Sequence, residues 1–323
     1  MALSHRAPKL VALLAAACTG LLVGAQSAHA VWPGGNGKIV FWKFSGSMQS
    51  PQAQIYSMDS TGLNQVNLSA AGGGANQLDV QPSVSPNGKR IAFARIDPIT
   101  FNTQIWTMKM DGSDQTNVTN NSATSESGPA WSANGSSVLF VRQQSPSPPF
   151  GGFGSIWIRK ANGSGTPRQL TLGPGDANPA MSPDGDLIAF SRSEGGENRD
   201  LILMKSDGTG QTDLGPGAKP DWSPDSSHIA YGRGTGLGPI MVLDVSDPSQ
   251  RQTYPGVGDE APAWSPDGQN IVFIHCKGPM RCEIWLMTAT FGSPHAITND
   301  TAQGKSDQKP DWQRANGGGG KDG

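Results

Sequence analysis

The chain has 323 residues, with 24 Lys and Arg against 26 Asp and Glu, and only 15% of it is charged. So even a balance excludes the basic stripe that a nucleic-acid binder needs, and 35% hydrophobic residues with 43 glycines besides exclude a disordered chain. The 43 glycines and 25 prolines suit a protein built on β-turns, and the length allows two ordinary domains or one large all-β domain.

The N-terminus reads as an address. His5, Arg6 and Lys9 precede an apolar run over residues 10–23, and Ala28-His29-Ala30 follows. Small residues at 28 and 30 are what a signal peptidase reads, so residues 1–30 are expected to be a secretory signal cleaved after Ala30. The run is broken by Thr19 and Gly20 and is short for a membrane span. Ala15-Ala-Ala-Cys18 lacks the Leu that normally stands three before a lipidated cysteine. The expectation is a secreted or periplasmic chain, without a lipid anchor at Cys18 and without a membrane span.

The next elements are strands. Asn36-Gly-Lys-Ile-Val-Phe41 and Gln54-Ile-Tyr-Ser-Met58 are apolar runs with a turn near Thr61-Gly62. A repeat then begins. Gln81-Pro-Ser-Val-Ser-Pro-Asn-Gly88 is followed by Ile91-Ala-Phe-Ala-Arg95. The pattern returns at Gly128-Pro-Ala-Trp131 with Val138-Leu-Phe-Val-Arg142, at Asn178-Pro-Ala-Met181 with Ile188-Ala-Phe-Ser-Arg192, at Lys219-Pro-Asp-Trp222 with Ile229-Ala-Tyr-Gly-Arg233, and at Ala261-Pro-Ala-Trp264 with Ile271-Val-Phe-Ile-His275. A last start, Lys309-Pro-Asp-Trp312, has no second run. The six prolines, at 82, 129, 179, 220, 262 and 310, are 47, 50, 41, 42 and 48 residues apart. Periods of that size mean repeated four-strand units.

Pro-x-Trp is a short strand, Pro-Asp-Gly or Asn-Gly a tight turn, and Ile-Ala-Phe an apolar strand. A second hairpin follows in each unit, as in Gln104-Ile-Trp-Thr-Met108 with its turn at Asp111-Gly112. The predicted fold is an all-β, six-bladed β-propeller over residues 31–313, four antiparallel strands per blade. One C-terminal strand joins three N-terminal strands to close it, which leaves no unpaired rim between first and last blades. Residues 314–323, with Gly317–Gly320, are expected to form a disordered tail. Cys276 and Cys282, between two strand-like runs of the fifth repeat, are an even pair in an oxidising compartment and are expected to form a disulfide. A redox or metal pair would need a tighter spacing or nearby ligands.

These turns and strands resemble the TolB-like β-propeller family of WD-like repeats, over about residues 36–313. The resemblance implies a periplasmic, non-enzymatic partner protein that binds segments of other proteins at its propeller mouth. The family's namesake carries an α/β domain ahead of its propeller, whereas only five residues separate Ala30 from Asn36 here, so the resemblance covers the propeller and leaves open whether it extends to the namesake's role.

Aligned repeats show two rings of charge. Three residues before the prolines stand Asp79, Glu126, Asp176, Gly217, Asp259 and Asp307. Thirteen after them stand Arg95, Arg142, Arg192, Arg233 and His275, with Lys43 in the equivalent place near the N-terminus. Both rings fall at one mouth of the channel. They are either structural pairs, worth about 0–1 kcal/mol each if exposed, or a polar recognition ring. Arg233 alone lacks an acid and could anchor a ligand carboxylate. The long segments 97–102, 143–154, 195–199 and 235–238 all follow second strands, on the same side, where recognition usually resides.

Enzyme signatures are missing from the sequence. It has no Gly-x-Ser-x-Gly elbow, and His228, His275 and His295 do not form a metal-binding spacing. Asp111-Gly-Ser-Asp114 fits a hairpin turn rather than a calcium loop, and Gly151-Gly-Phe-Gly154 opens no helix that could hold a phosphate. The expectation is a monomeric, extracytoplasmic binding module, without cofactor or metal, that recognises a protein or peptide segment or an envelope polymer. The alternative is a lyase or hydrolase acting on an extracellular glycan or peptide across the same mouth.

Overall fold

Short apolar runs bounded by Gly, Asn and Pro become strands throughout the computed structural model. It describes residues 34–47, 50–71, 78–121, 123–143, 154–173, 175–195, 198–233, 238–278 and 281–315. The expected signal peptide with Cys18, most of segment 143–154, residues 235–237 and the tail beyond 315 lie outside the described residues.

The first strands are β1 (Asn36–Ser47), β2 (Ser50–Met58) and β3 (Val66–Asn67). The Pro82 repeat gives β4 (Leu78–Val84), β5 (Arg90–Ile96), β6 (Thr103–Lys109) and β7 (Thr116–Asn117). The Pro129 repeat gives β8 (Ser125–Trp131), β9 (Ser137–Gln143), β10 (Ser155–Lys160) and β11 (Arg168–Gln169). The Pro179 repeat gives β12 (Asp176–Met181), β13 (Leu187–Arg192), β14 (Asp200–Lys205) and β15 (Thr212–Pro216). The Pro220 repeat gives β16 (Ala218–Trp222), β17 (His228–Gly232) and β18 (Gly238–Asp244). Strand β19 (Arg251–Trp264) serves two units, followed by β20 (Asn270–Cys276), β21 (Cys282–Thr288), β22 (His295–Ala296) and finally β23 (Ser306–Arg314). Two single 3-10 turns, Ser69–Ala71 and Thr301–Gln303, are the only helical elements among the described residues.

Each unit is an antiparallel meander in sequence order. The exception joins the two ends of the chain: β23 pairs with β1, setting Trp312 opposite Ile39 and Asp307 opposite Lys43. Arg314 also pairs, with Asn36, so the strand runs one residue into the expected tail. The early half of β19 pairs with β18, and its later half with β20. First strands lie side by side: β4 against β8, β8 against β12, β12 against β16, β16 against β19, β19 against β23, and β23 against β4.

The repeated motif has a local physical cause. The serine of Ser-Pro-Asp-Gly donates its hydroxyl to the following Asn or Asp, at 2.9 Å from Ser85 to Asn87 and 2.6 Å from Ser265 to Asp267. The same hydroxyl accepts the first N–H of the second strand, from Arg90 at 2.9 Å and from Asn270 at 2.9 Å. One buried side chain thereby fixes both sides of the turn. The residue ahead of each proline is left-handed: Gln81, Gly128, Asn178, Lys219, Ala261 and Lys309 have φ between 43° and 59°. In every unit the first-strand ladder skips these two residues. Proline has no N–H for a ladder, so a bulge is where a strand tolerates it.

The second strands form the core. Phe41, Phe93, Phe140, Phe190, Tyr231 and Phe273 are fully buried, each contributing about 1.5–3 kcal/mol by transfer from water. Trp312 packs into a cluster with Ile39, Phe41, Met58 and residues of β19–β21. Cys276 and Cys282 face each other across β20 and β21 and are bonded, with Cα atoms 4.0 Å apart. The expected disulfide is present.

Candidate functional site

The shared bulge sets the register of the charge rings. Because every first strand skips the same two residues, the acid three before the proline lands opposite the cation thirteen after it: Asp79 and Arg95, Glu126 and Arg142, Asp176 and Arg192, Asp259 and His275. Arg95 Nε and Nη2 donate to the two oxygens of Asp79 at 2.7 and 2.8 Å. Arg142 Nε donates to Glu126 at 2.9 Å, and Arg192 Nε and Nη2 to Asp176 at 2.6 and 3.1 Å. His275 Nδ1 lies 2.7 Å from Asp259. Lys43 lies 3.7 Å from Asp307, bonds Asp300, and donates to Gln65 at 2.6 Å.

The expectation that such pairs are exposed is corrected here. All five acids are buried, and so are Lys43 and Arg95. The cations lie over aromatic rings of the second and third strands. Arg95 sits 5.1 Å from Phe93 and 4.6 Å from Trp106, and Arg142 sits 5.4 Å from Phe140 and 4.7 Å from Trp157. Lys43 is 4.9 Å from the Tyr56 ring, and His275 meets the Trp285 ring in a tilted contact, 4.6 Å between centroids. Burial pushes the carboxyls of Asp79, Glu126 and Asp259 up, against the pull of their cations. Burial raises Asp307 to about 7, with Lys43 lowering it and Asp300 raising it again. Breaking a buried pair from one side strands a charge and costs about 3–5 kcal/mol, so these rings are frame rather than free surface.

The Pro220 repeat abandons the pair. A Cβ on Gly217 would stand 2.7 Å from the Tyr231 ring and 2.9 Å from Leu201, so no acid fits there. Tyr231 replaces the usual Phe and takes a bond from Arg251 Nη1 at 3.2 Å. Arg233 is exposed and, among the described residues, makes no ion pair.

Near the first strands the fold buries charges that sequence reasoning missed. Lys219 bonds Glu260 of the next unit. Asp221 accepts the N–H of Trp264 at 2.7 Å, and Asp311 accepts that of Val84 at 2.7 Å. Lys309 donates to the Pro82 carbonyl at 3.1 Å. Burial holds Lys219 and Lys309 below their usual range and Asp221 well above its own, and lifts Asp311 to about 7. The signal was legible: Lys-Pro-Asp-Trp occurs at 219–222 and 309–312, where the other repeats carry Ser or Ala in place of the Asp. These groups clamp neighbouring units together.

Above this frame, residues 97–102 form a turn tied by the Asp97 carboxylate to the N–H groups of Ile99 and Thr100, both at 2.8 Å, which leaves Ile99 exposed. Beside the Pro179 repeat a cleft of about 960 Å³ is lined by Leu170, Leu172, Gly173, Arg192, Glu194 and Gln211, among others. No group of three or more His, Cys, Asp or Glu among the described residues is placed to hold a metal. His228 lies 2.6 Å from Ser227 Oγ, and His295 2.8 Å from the Ser293 carbonyl. No helix among the described residues is long and apolar enough to cross a membrane.

The family described as TolB beta propeller domain matches residues 22–219. An uncharacterized protein of Agrobacterium fabrum is 28% identical over 207 residues, 57% of this chain and 68% of its own length. Dipeptidyl-peptidase 5 of Porphyromonas gingivalis is 24% identical over 233 residues, which are 67% of this chain but only 33% of that enzyme. The crystal structure of TolB from Acinetobacter baumannii superimposes with a TM-score of 0.68 at 16% identity, covering 87% of this chain and 68% of that one. At that identity the likeness is one of fold.

Proposed function

This chain belongs to the TolB beta propeller family, and from that premise we propose that it is an extracytoplasmic, non-catalytic binding module. In this reading residues 1–30 are a signal peptide, and the protein works as a monomer in the periplasm or outside the cell. The ring has six blades, the last made of β23 with β1, β2 and β3. The β23–β1 pairing and the sequence of first-strand neighbours that returns from β23 to β4 support that closure. The buried disulfide supports an oxidising compartment.

The observation that carries the binding role is the division of labour at one end of the units. Five pairs, each a buried acid with its cation, hold the frame there. The connections from second to third strands leave from the same end, with Ile99, Arg233 and the Arg192 cleft beside them. Irregular loops on a rigid scaffold are where recognition usually sits. The occupant is a protein segment or an envelope polymer. Affinity capture from the native envelope tests this: a partner recovered in stoichiometric amount is expected. Turnover of a glycan or peptide panel with no recovered partner would replace the module with an enzyme.

A further inference from the structure

Neighbouring repeats supply a template for a site. In the Pro82 and Pro129 repeats the guanidinium on the second strand lies against two rings, a second-strand Phe and a third-strand Trp. That Trp is the residue facing the Phe across the ladder, Trp106 opposite Phe93 and Trp157 opposite Phe140. In the Pro179 repeat the same register sets Ile202 opposite Phe190. Arg192 stacks on Phe190 at 5.1 Å, and among the described residues no third-strand ring joins it. Its side chain is 24% exposed, against 8% for Arg95 and 12% for Arg142.

The space beside Arg192 is the cleft of about 960 Å³. Its walls are places that other repeats fill. The connection leading to the Pro129 repeat carries Asn121 and Thr124, which bond Gln104 and Glu126. The connection leading to the Pro179 repeat offers Leu172, Gly173 and Gly175 instead. In the Pro82 repeat Gln115 bonds Arg95 Nη2 at 2.9 Å; its counterpart Gln211 lines the cleft.

We propose that this cleft binds an aromatic side chain of a partner segment, stacked on Arg192 as Trp106 and Trp157 stack on Arg95 and Arg142. The site deepens the binding-module reading and rests on it for the nature of the partner. Asp176 takes up one edge of the Arg192 guanidinium and Phe190 one face, so the second face can take a ring as in the neighbouring repeats, while Glu194 in the same cleft disfavours a carboxylate there. Leu170 and Leu172, the latter 91% exposed, supply apolar wall. Glu194 lines the same cleft, and its charge and that of Asp213 reach both Arg192 and Asp200. A ring flanked by basic residues therefore suits the rim better than one flanked by acids.

The test is calorimetric titration of the mature chain with acetyl-Lys-Trp-Lys-amide, with its Leu analogue, and with acetyl-Glu-Trp-Glu-amide. The Lys-Trp-Lys peptide should bind at least tenfold more tightly than either of the others. Ile202→Trp, which restores the third-strand ring, should weaken that binding at least tenfold. Gly173→Leu should do the same and guards against a folding defect in the first variant, because a Cβ there meets Asp176 at an ordinary 3.4 Å. No saturable binding, equal binding of the Trp and Leu peptides, or full binding by folded Gly173→Leu would overturn the proposal. An envelope partner captured equally by wild type and by Gly173→Leu would remove the cleft and leave the binding module standing; capture of no partner by wild type would remove the module itself.

Discussion

The Pro82 and Pro220 repeats share strands and turns but differ at one end. In the first, Asp79 holds Arg95 between two rings. In the second, Tyr231 fills the space beside Gly217, Arg251 bonds the phenol, and Arg233 is left exposed. The difference teaches that the acid–cation pair is a packing device. Where a tyrosine does the packing, the acid is gone and the cation faces solvent.

The strongest way to break the comparison is to remove what both repeats lean on. Strand β23 shares Lys-Pro-Asp-Trp with the Pro220 repeat, and its Lys309 and Asp311 reach Pro82 and Val84 of the Pro82 repeat. Deleting residues 308–323 should abolish the cooperative melt expected of residues 31–323. Trp312→Ala alone should cost about 3–5 kcal/mol, as expected for a buried Trp. A truncated chain that melts like the intact one would sink the end-to-end pairing.

A smaller effect sharpens it. Gly217→Asp gives the Pro220 repeat the acid that the other repeats have. The account predicts a loss of about 1–3 kcal/mol through overpacking against Tyr231 and Leu201. A rise in melting temperature would mean that Arg233 accepts the new partner after all.

A third effect is in pH. Asp307 is raised to about 7 in the folded state, while an unfolded Asp titrates near 3.8. Between those values the folded chain holds a proton that the unfolded chain has released. The contribution of Asp307 is thus fully present below about 3.8 and is lost as pH rises through about 7. Denaturant melts should show it as stability falling from about pH 4 to about pH 7 and levelling off above, with a flatter profile in Asp307→Asn. An unchanged slope in that variant would show that Asp307 does not titrate in this window.

Much of the frame was legible in the sequence because the bulge is the same in every repeat. The pairs Asp79–Arg95, Glu126–Arg142, Asp176–Arg192 and Asp259–His275 could be counted off the prolines, and the ladder delivers them face to face. Their burial could not be counted. It depends on third-strand rings such as Trp106 and Trp157, whose register with Phe93 and Phe140 is set by hairpins of unequal length. Lys219, Asp221, Lys309 and Asp311 stand out in the sequence as Lys-Pro-Asp-Trp, but their burial did not, because the left-handed bulge carries them into the buried junctions between units. The Arg192 cleft was not legible either, since it arises from a ring that Ile202 does not supply and from the small residues Gly173 and Gly175.

The central claim is that the paired cations hold the frame while Arg233 stands outside it. Thermal melts of Arg95→Ala and Arg233→Ala, run side by side on residues 31–323, test it most directly. Stranding buried Asp79 should cost about 3–5 kcal/mol, or a fall of about 5–8 °C for a chain of this size. Arg233→Ala should melt with the wild type. Equal melting temperatures for the two variants, whether lowered or unchanged, would contradict the account.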